Sequence, residues 1–135
     1  MTAQDTSLIT SSWLNLADSR LGTEVLYAND DFFAEKENLI HSGRGIFIAD
    51  KYTDRGKWMD GWESRRKRGP GNDWCIVKLG APGMIHQVDI DTNHFLGNHP
   101  PHASIEICDQ QDPPDDNTIW QELLPKSPLK AGSQN

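Results

Sequence analysis

A chain of 135 residues, with 36% hydrophobic and 24% charged residues and a net charge of −7, holds one domain and little more. Its two cysteines are too few for a disulfide framework. No apolar run approaches the roughly 20 residues that span a bilayer as a helix, and residues 1–12 lack the basic-then-apolar pattern of a secretory leader. The expectation is a cytoplasmic protein with reduced thiols, opened by a flexible segment over residues 1–12.

The charge is unevenly spread. Residues 51–80 hold eight Lys/Arg against four Asp/Glu, and the other positions hold five against sixteen. A net acidic chain is a poor nucleic-acid partner, whereas a local cationic island suits a small anion.

In chain order, Val25-Leu26-Tyr27 reads as a strand running into the polar loop Ala28-Asn29-Asp30-Asp31. Residues 38–40 and 45–48 read as short β pieces around a glycine turn. Over residues 74–79, Cys75, Val77 and Leu79 alternate with Trp74, Ile76 and Lys78. After the turn Ala81-Pro82-Gly83, residues 84–91 alternate again, with Met84, His86, Val88 and Ile90 on one face. Ala103, Ile105 and Ile107 alternate with Ser104, Glu106 and Cys108, and residues 118–124 read as a further short strand. Short strands with frequent turns predict an all-β sandwich or jelly roll. The chain then runs out in a polar tail, residues 126–135, that reads as lacking a closing element.

Three stretches carry more chemistry than a sandwich needs. At a strand end, Asp30 and Asp31 in Asn29-Asp30-Asp31-Phe32-Phe33-Ala34 could accept ligand N–H groups, but on the residues alone a turn in which one of them caps its own backbone is the favoured reading. The block Gly56-Lys57-Trp58-Met59-Asp60-Gly61-Trp62-Glu63-Ser64-Arg65-Arg66-Lys67-Arg68 crowds two tryptophans, two carboxylates and five cations into thirteen residues. Arginine pairs with carboxylates in two places, and tryptophans that exclude water strengthen charged contacts. A surface loop packed on its tryptophans is the simpler alternative, and the density of functional side chains favours a site. In the third stretch, residues 89–102, Asp91, His94, His99 and His102 are candidate divalent-metal ligands. Their spacing fits no metal template, so general acid–base work by single members is the preferred reading. No nucleophile elbow or phosphate loop is present, and neither cysteine lies in an electropositive loop suited to a nucleophile.

The segments Leu16-Ala17-Asp18-Ser19-Arg20-Leu21-Gly22, Tyr27-Ala28-Asn29-Asp30-Asp31-Phe32-Phe33-Ala34 and Glu37-Asn38-Leu39-Ile40, with the Lys57–Arg68 block, resemble the allantoicase family. Asn72-Asp73-Trp74-Cys75-Ile76-Val77-Lys78-Leu79-Gly80 and Val88-Asp89-Ile90-Asp91-Thr92, then Phe95, Gly97 and Asn98, continue the resemblance in the same order. It covers about residues 13 to 108, with the Lys-Trp-Met-Asp-Gly-Trp-Glu run the most specific part.

The resemblance implies an enzyme of purine degradation that hydrolyses allantoate to ureidoglycolate and urea. It implies a jelly-roll β-sandwich of the galactose-binding-like type, here the first of two repeats over residues 13–135, incomplete at its C-terminal end. The substrate's chemistry then suggests roles. Lys57 with Arg65 or Arg66 would clamp the carboxylate, with Trp58 and Trp62 alongside. Asp31, Asp60 and Asn98 would hold the ureido groups, and Glu63, Asp91, His99 or Asp60 would serve catalysis. No cofactor is required by the sequence, a divalent metal stays open, and the expected partners are the small-molecule substrate and a second copy of the chain. The alternative is a jelly-roll module that binds a ligand without turnover, or an inactive fragment.

Overall fold

A computed structural model describes residues 13–135 of the chain. The proposed flexible segment, residues 1–12, lies outside the described residues. The fold is all-β, with no α-helix among the described residues, and six strands form three two-stranded antiparallel sheets.

The first sheet joins β1 (Glu24–Ala28) to β4 (Cys75–Lys78). Glu24 faces Lys78 and Val25 faces Val77, an opposite-charge pair beside an apolar one, both of which favour this register. A bulge between Val25 and Tyr27 breaks the period of two, so Val25 is buried while Leu26 and Tyr27 are both exposed. The second sheet is a small hairpin, β2 (Tyr52–Thr53) and β3 (Gly56–Lys57), turned at Asp54-Arg55. The third joins β5 (His102–Ile107) to β6 (Gln121–Pro128). Along β5 the expected alternation holds, with Ala103, Ile105 and Ile107 half-buried and Ser104 and Glu106 exposed.

Three expectations change. Residues 38–40 belong to a 3-10 segment, Lys36–Ile40, instead of a strand. Asp31 Oδ2 accepts from the Lys36 N–H at 3.2 Å, which satisfies a donor at the start of the turn. Residues 45–48 and 84–90 form no strand among the described residues, because an alternating pattern makes a ladder only where a partner backbone lies alongside. The strand expected at 118–124 starts later and runs to Pro128 through Pro125. Prolines fit there because β6 pairs on one side only, with β5, and the ladder is irregular at Ala103/Ile105 and Ile105/Glu106.

The polar tail does have a closing element. Leu129 is buried and donates its N–H to the Pro101 carbonyl. Residues 133–135 then run antiparallel to residues 90–92, with the bridge Asp91–Gln134 and bonds between Ile90 and Asn135 in both directions. Buried Thr92 anchors the pairing, its hydroxyl donating to the Lys130 carbonyl at 2.5 Å and accepting from the Ser133 N–H at 3.1 Å. Beyond Leu129, residues 130–135 are held by hydrogen bonds, which a hydropathy pattern does not reveal.

One pair in this junction is imperfect. Gln134 Nε2 donates to Asp89 Oδ2 at 2.8 Å. Asp89 Oδ1 and Gln134 Oε1 are buried without partners among the described residues. Burial pushes the Asp89 carboxyl above its usual range, the bond from Gln134 opposes that, and Asp91 adds to the upward push. A carboxylate whose folded pKa exceeds its unfolded value of about 4 destabilises the fold once ionised. That cost is absent below the unfolded value and complete above the folded one. Asp89→Asn removes the charge and keeps a carbonyl oxygen for the Gln134 amide N–H. The variant should melt higher than the wild type at pH 7, with the difference closing as the pH falls below about 4. Thermal melts across pH check this, and a pH-independent difference would contradict it.

The small core contains Val25, Ala34, Ile40 and Leu129, with the polar side chains of Asp18, Thr23, Asn38 and Thr92 also buried. Asn38 Nδ2 donates to the carbonyls of Met59 and Gly61 at 3.2 and 3.1 Å, so it fastens the charged block to the 3-10 segment. Gly61 lies so close to Phe95 that a Cβ there would sit 2.6 Å from the ring. The second and third informative stretches therefore meet in close contact at Gly61, where a larger residue would have to displace the Phe95 ring.

Candidate functional site

The backbone of Glu63 forms a bridge with Ala34: the Ala34 N–H donates to the Glu63 carbonyl at 3.1 Å and the Glu63 N–H to the Ala34 carbonyl at 3.0 Å. This pins Glu63 beside Phe33. From the third stretch, Asn98 Nδ2 donates to Glu63 Oε2 at 2.7 Å. The β2–β3 hairpin brings Arg55, Gly56 and Lys57 to the same place. Together with Met59 these residues line an open cleft of about 250 Å³. Its lining residues Arg55, Lys57, Glu63 and Asn98 carry two cations, a carboxylate and an amide, and Phe33 and Met59 are its large apolar members. Such a mixture orients a small polar ligand while excluding part of its water.

Of the residues expected at a site, the cleft brings together Lys57, Glu63 and Asn98. The Lys57 ammonium also lies over the Phe47 ring at 4.8 Å and the Tyr52 ring at 5.3 Å, so aromatic faces hold it without neutralising it.

The other expected residues have different surroundings. Asp60 accepts the Ile46 N–H on Oδ2 at 3.0 Å and faces His41 Nδ1 at 3.3 Å through Oδ1, which ties the 41–46 loop to the charged block. Trp62 Nε1 donates to the Asp30 carbonyl at 2.8 Å, and Trp58 lies under the Lys51 ammonium at 4.1 Å. The cleft wall is Phe33 and Met59 instead of these tryptophans. Arg65 pairs with Asp30 at 2.9 Å and covers the Phe32 ring at 5.1 Å. Arg66 is exposed and outside the cleft lining. Asp91 accepts both prongs of the Arg44 fork, at 2.7 and 2.9 Å. His99 Nδ1 is buried with no partner among the described residues. Asp30 and Asp31 both cap backbone, with Asp30 Oδ1 accepting the Phe32 N–H at 3.0 Å and Asp31 Oδ2 the Lys36 N–H. The candidate metal set does not assemble. Asp91 is taken by Arg44, His94 lies tilted against the Phe47 ring with centroids 5.6 Å apart, and no three His, Cys, Asp or Glu side chains converge on a metal-sized space among the described residues.

Electrostatics reinforce this division. The Phe32 N–H, and after it Arg65, hold the Asp30 carboxyl below its usual range against some burial. Burial works to raise Asp73, but bonds from Ser64, Asn29 and Lys67 outweigh it, and the net shift is downward. Ser64 Oγ donates to Asp73 Oδ2 at 2.7 Å and Asn29 Nδ2 to Asp73 Oδ1 at 2.9 Å. These ionised acids brace the strand ends behind the cleft. Burial pushes the Cys75 thiol up, which leaves little thiolate at neutral pH and suits a structural thiol.

Arg55, Phe33 and Met59 are cleft residues that the sequence reading misses. The signal for Arg55 is the Thr53-Asp54-Arg55-Gly56 turn, whose flanking strands of two residues each are too short to show a period.

A family model described as "Allantoicase repeat" matches residues 14–135, including the tail that the motif resemblance leaves out. A protein named "Probable allantoicase 2" from Burkholderia mallei is 52% identical over 128 residues, covering 93% of this chain and 38% of the relative. A "Probable allantoicase" from Photobacterium profundum is 50% identical over 124 residues, covering 91% of this chain and 38% of the relative. The crystal structure of allantoicase from Saccharomyces cerevisiae superposes with a TM-score of 0.67 at 31% identity, over 96% of this chain and 40% of that one. A second allantoicase structure gives 0.73 at 29% identity with the same coverage. The chain thus spans well under half the length of the relatives it matches.

Proposed function

We propose that this chain, which belongs to the allantoicase family, binds allantoate in the Lys57–Glu63–Asn98 cleft and serves its hydrolysis to ureidoglycolate and urea. The observation that carries the proposal is the Glu63 carboxyl, hydrogen-bonded to Asn98 at 2.7 Å on the wall of a cationic cleft.

Allantoate carries a carboxylate and two ureido groups on one tetrahedral carbon. Releasing urea breaks a C–N bond at that carbon, with the electron pair leaving on the ureido nitrogen. A proton delivered to that nitrogen makes urea the leaving group. The other ureido nitrogen lends its lone pair to form an imine-like bond, and water then adds to that carbon, giving up a proton that restores the proton carrier and leaving ureidoglycolate. No acyl oxyanion forms in this route, so the site needs a cation for the carboxylate, acceptors and donors for ureido groups, and a proton carrier. Lys57 supplies the cation. The Asn98 amide and the Glu63 carboxyl face the ureido groups, and Glu63 delivers the proton. Asp60, Asp31 and Arg65, engaged with backbone or with Asp30, hold the loops that form the cleft. Asp91, paired with Arg44, does the same for the third stretch.

The same reading takes the three small sheets as parts of a jelly-roll sandwich of the galactose-binding-like type. It places the protein in the cytoplasm, where the free thiols Cys75 and Cys108 stay reduced, as a homo-oligomer. Sedimentation velocity reads the assembly. The function itself is tested by incubating the protein with allantoate and measuring urea. Release that saturates with allantoate supports the enzyme. Saturable binding without urea release identifies the ligand-binding module instead, and no binding defeats both.

A further inference from the structure

Lys57 is a poor carboxylate clamp on its own: an ammonium is a point charge without the planar fork that matches two oxygens. The guanidinium nearest the cleft comes from Arg55, at the tip of the β2–β3 hairpin, and not from the run at 65–68. Arg55 Nη1 donates to the Asp31 carbonyl at 2.5 Å and more weakly to the Phe32 carbonyl at 3.4 Å. These bonds lock one end of the fork against the strand-end loop that also carries Phe33. Nε and Nη2 have no partner among the described residues, and Arg55 lines the cleft with Lys57 and Glu63. The backbone of Arg55 is itself held, its N–H donating to Thr53 Oγ1 at 3.1 Å. Arg65, the obvious rival, already pairs with Asp30.

We infer that Arg55 is the carboxylate-recognition residue of this cleft: its loop-locked guanidinium receives the substrate's carboxylate beside Lys57 and so sets specificity for an anionic ureide over a neutral one. The inference rests on the allantoate reading above. A guanidinium already tethered at one nitrogen loses little freedom on binding, which favours a directed contact. Arg55 touches the carboxylate and not the reacting C–N bond, so it governs affinity and selectivity.

The test is calorimetric titration of the wild type, Arg55→Ala and Arg55→Lys with two probes, allantoate and its uncharged primary amide. The wild type should prefer allantoate. Arg55→Ala should weaken allantoate binding by roughly 10- to 100-fold, the scale of a lost charge-assisted hydrogen bond, while binding of the amide changes by less than about twofold. Arg55→Lys keeps the charge but loses the fork, and should weaken allantoate several-fold with the amide again unaffected. Circular dichroism reports folding, and if Arg55→Ala unfolds, the lysine variant decides. Equal losses for both probes would show that Arg55 merely braces the loop, and unchanged allantoate binding in Arg55→Lys would also overturn the inference. Failure of the wild type to bind allantoate at all would overturn the substrate reading, and this assignment with it. That outcome is distinct from binding that ignores Arg55.

Discussion

Glu63→Gln should lower urea release from allantoate by roughly 10²- to 10⁴-fold, the usual contribution of a positioned general acid or base, with the melting temperature nearly unchanged. The two readouts separate because the backbone and side chain of Glu63 do different jobs. The bridge to Ala34 uses only the Glu63 N–H and carbonyl, which glutamine retains. Among the described residues the side chain is bonded to Asn98 alone, and a glutamine carbonyl can still accept that bond. What glutamine cannot do is pass a proton to the leaving ureido nitrogen. Initial rates with urea detection and a thermal melt of the same preparation check the prediction, and a rate within a few-fold of wild type would remove Glu63 from the chemistry. Asp60→Asn makes the instructive contrast. Asp60 takes the Ile46 N–H and faces His41, so the proposal has its loss felt through the 41–46 loop and the cleft's shape.

Gly80→Ala should destabilise the fold by about 3 kcal/mol, a drop of roughly 10 °C in melting temperature for a domain of this size. A Cβ at Gly80 would lie 2.2 Å from the Leu21 carbonyl oxygen and 2.6 Å from both the Gly22 carbonyl carbon and the Thr23 nitrogen. All three are backbone atoms, so no rotamer change relieves the overlap. The chain must separate where Thr23 Oγ1 donates to the Leu16 carbonyl at 2.6 Å and accepts the Gly80 N–H at 2.9 Å. That pair of bonds joins the start of β1 to the end of β4, and opening it exposes polar groups of a buried threonine. Gly69→Ala is the control, because nothing lies within 4 Å of a Cβ there. A Gly80→Ala melt that overlays the Gly69→Ala melt would refute the close-packing argument.

Two of the cleft residues were legible because one motif packs its charges densely. Lys57 and Glu63 stand in the same thirteen-residue block, and both line the cleft. The same block also supplies Asp60, Trp62 and Arg65, whose polar groups turn to backbone and to Asp30 instead. Residue type and spacing do not distinguish the two groups. The distinction depends on partners such as Asn98 and Asp30, each 35 positions from the residue it meets. Arg55 went unread for the opposite reason: it is a single charge in a turn between strands of two residues each.

Strand reading divides along similar lines. The alternation at 102–108 produced a strand because β6 lies beside it, and the equally good alternation at 84–91 did not, because only its last residues meet the 133–135 segment. Periodicity reports which side chains a strand would bury, while the ladder itself needs a neighbouring backbone.

By itself, then, the sequence determined the all-β class, the acidic chain with its cationic island, and membership of the allantoicase family, since composition, local periodicity and an ordered run of motifs are properties of the chain alone. Only the tertiary structure decided which carboxylates brace loops and which faces the cleft, that Arg55 stands beside Lys57, and that the polar tail closes on Thr92. Each of these is a hydrogen-bonding choice between groups distant in the chain. An unpaired polar group is costly once buried, so the nearest partner in space settles its role.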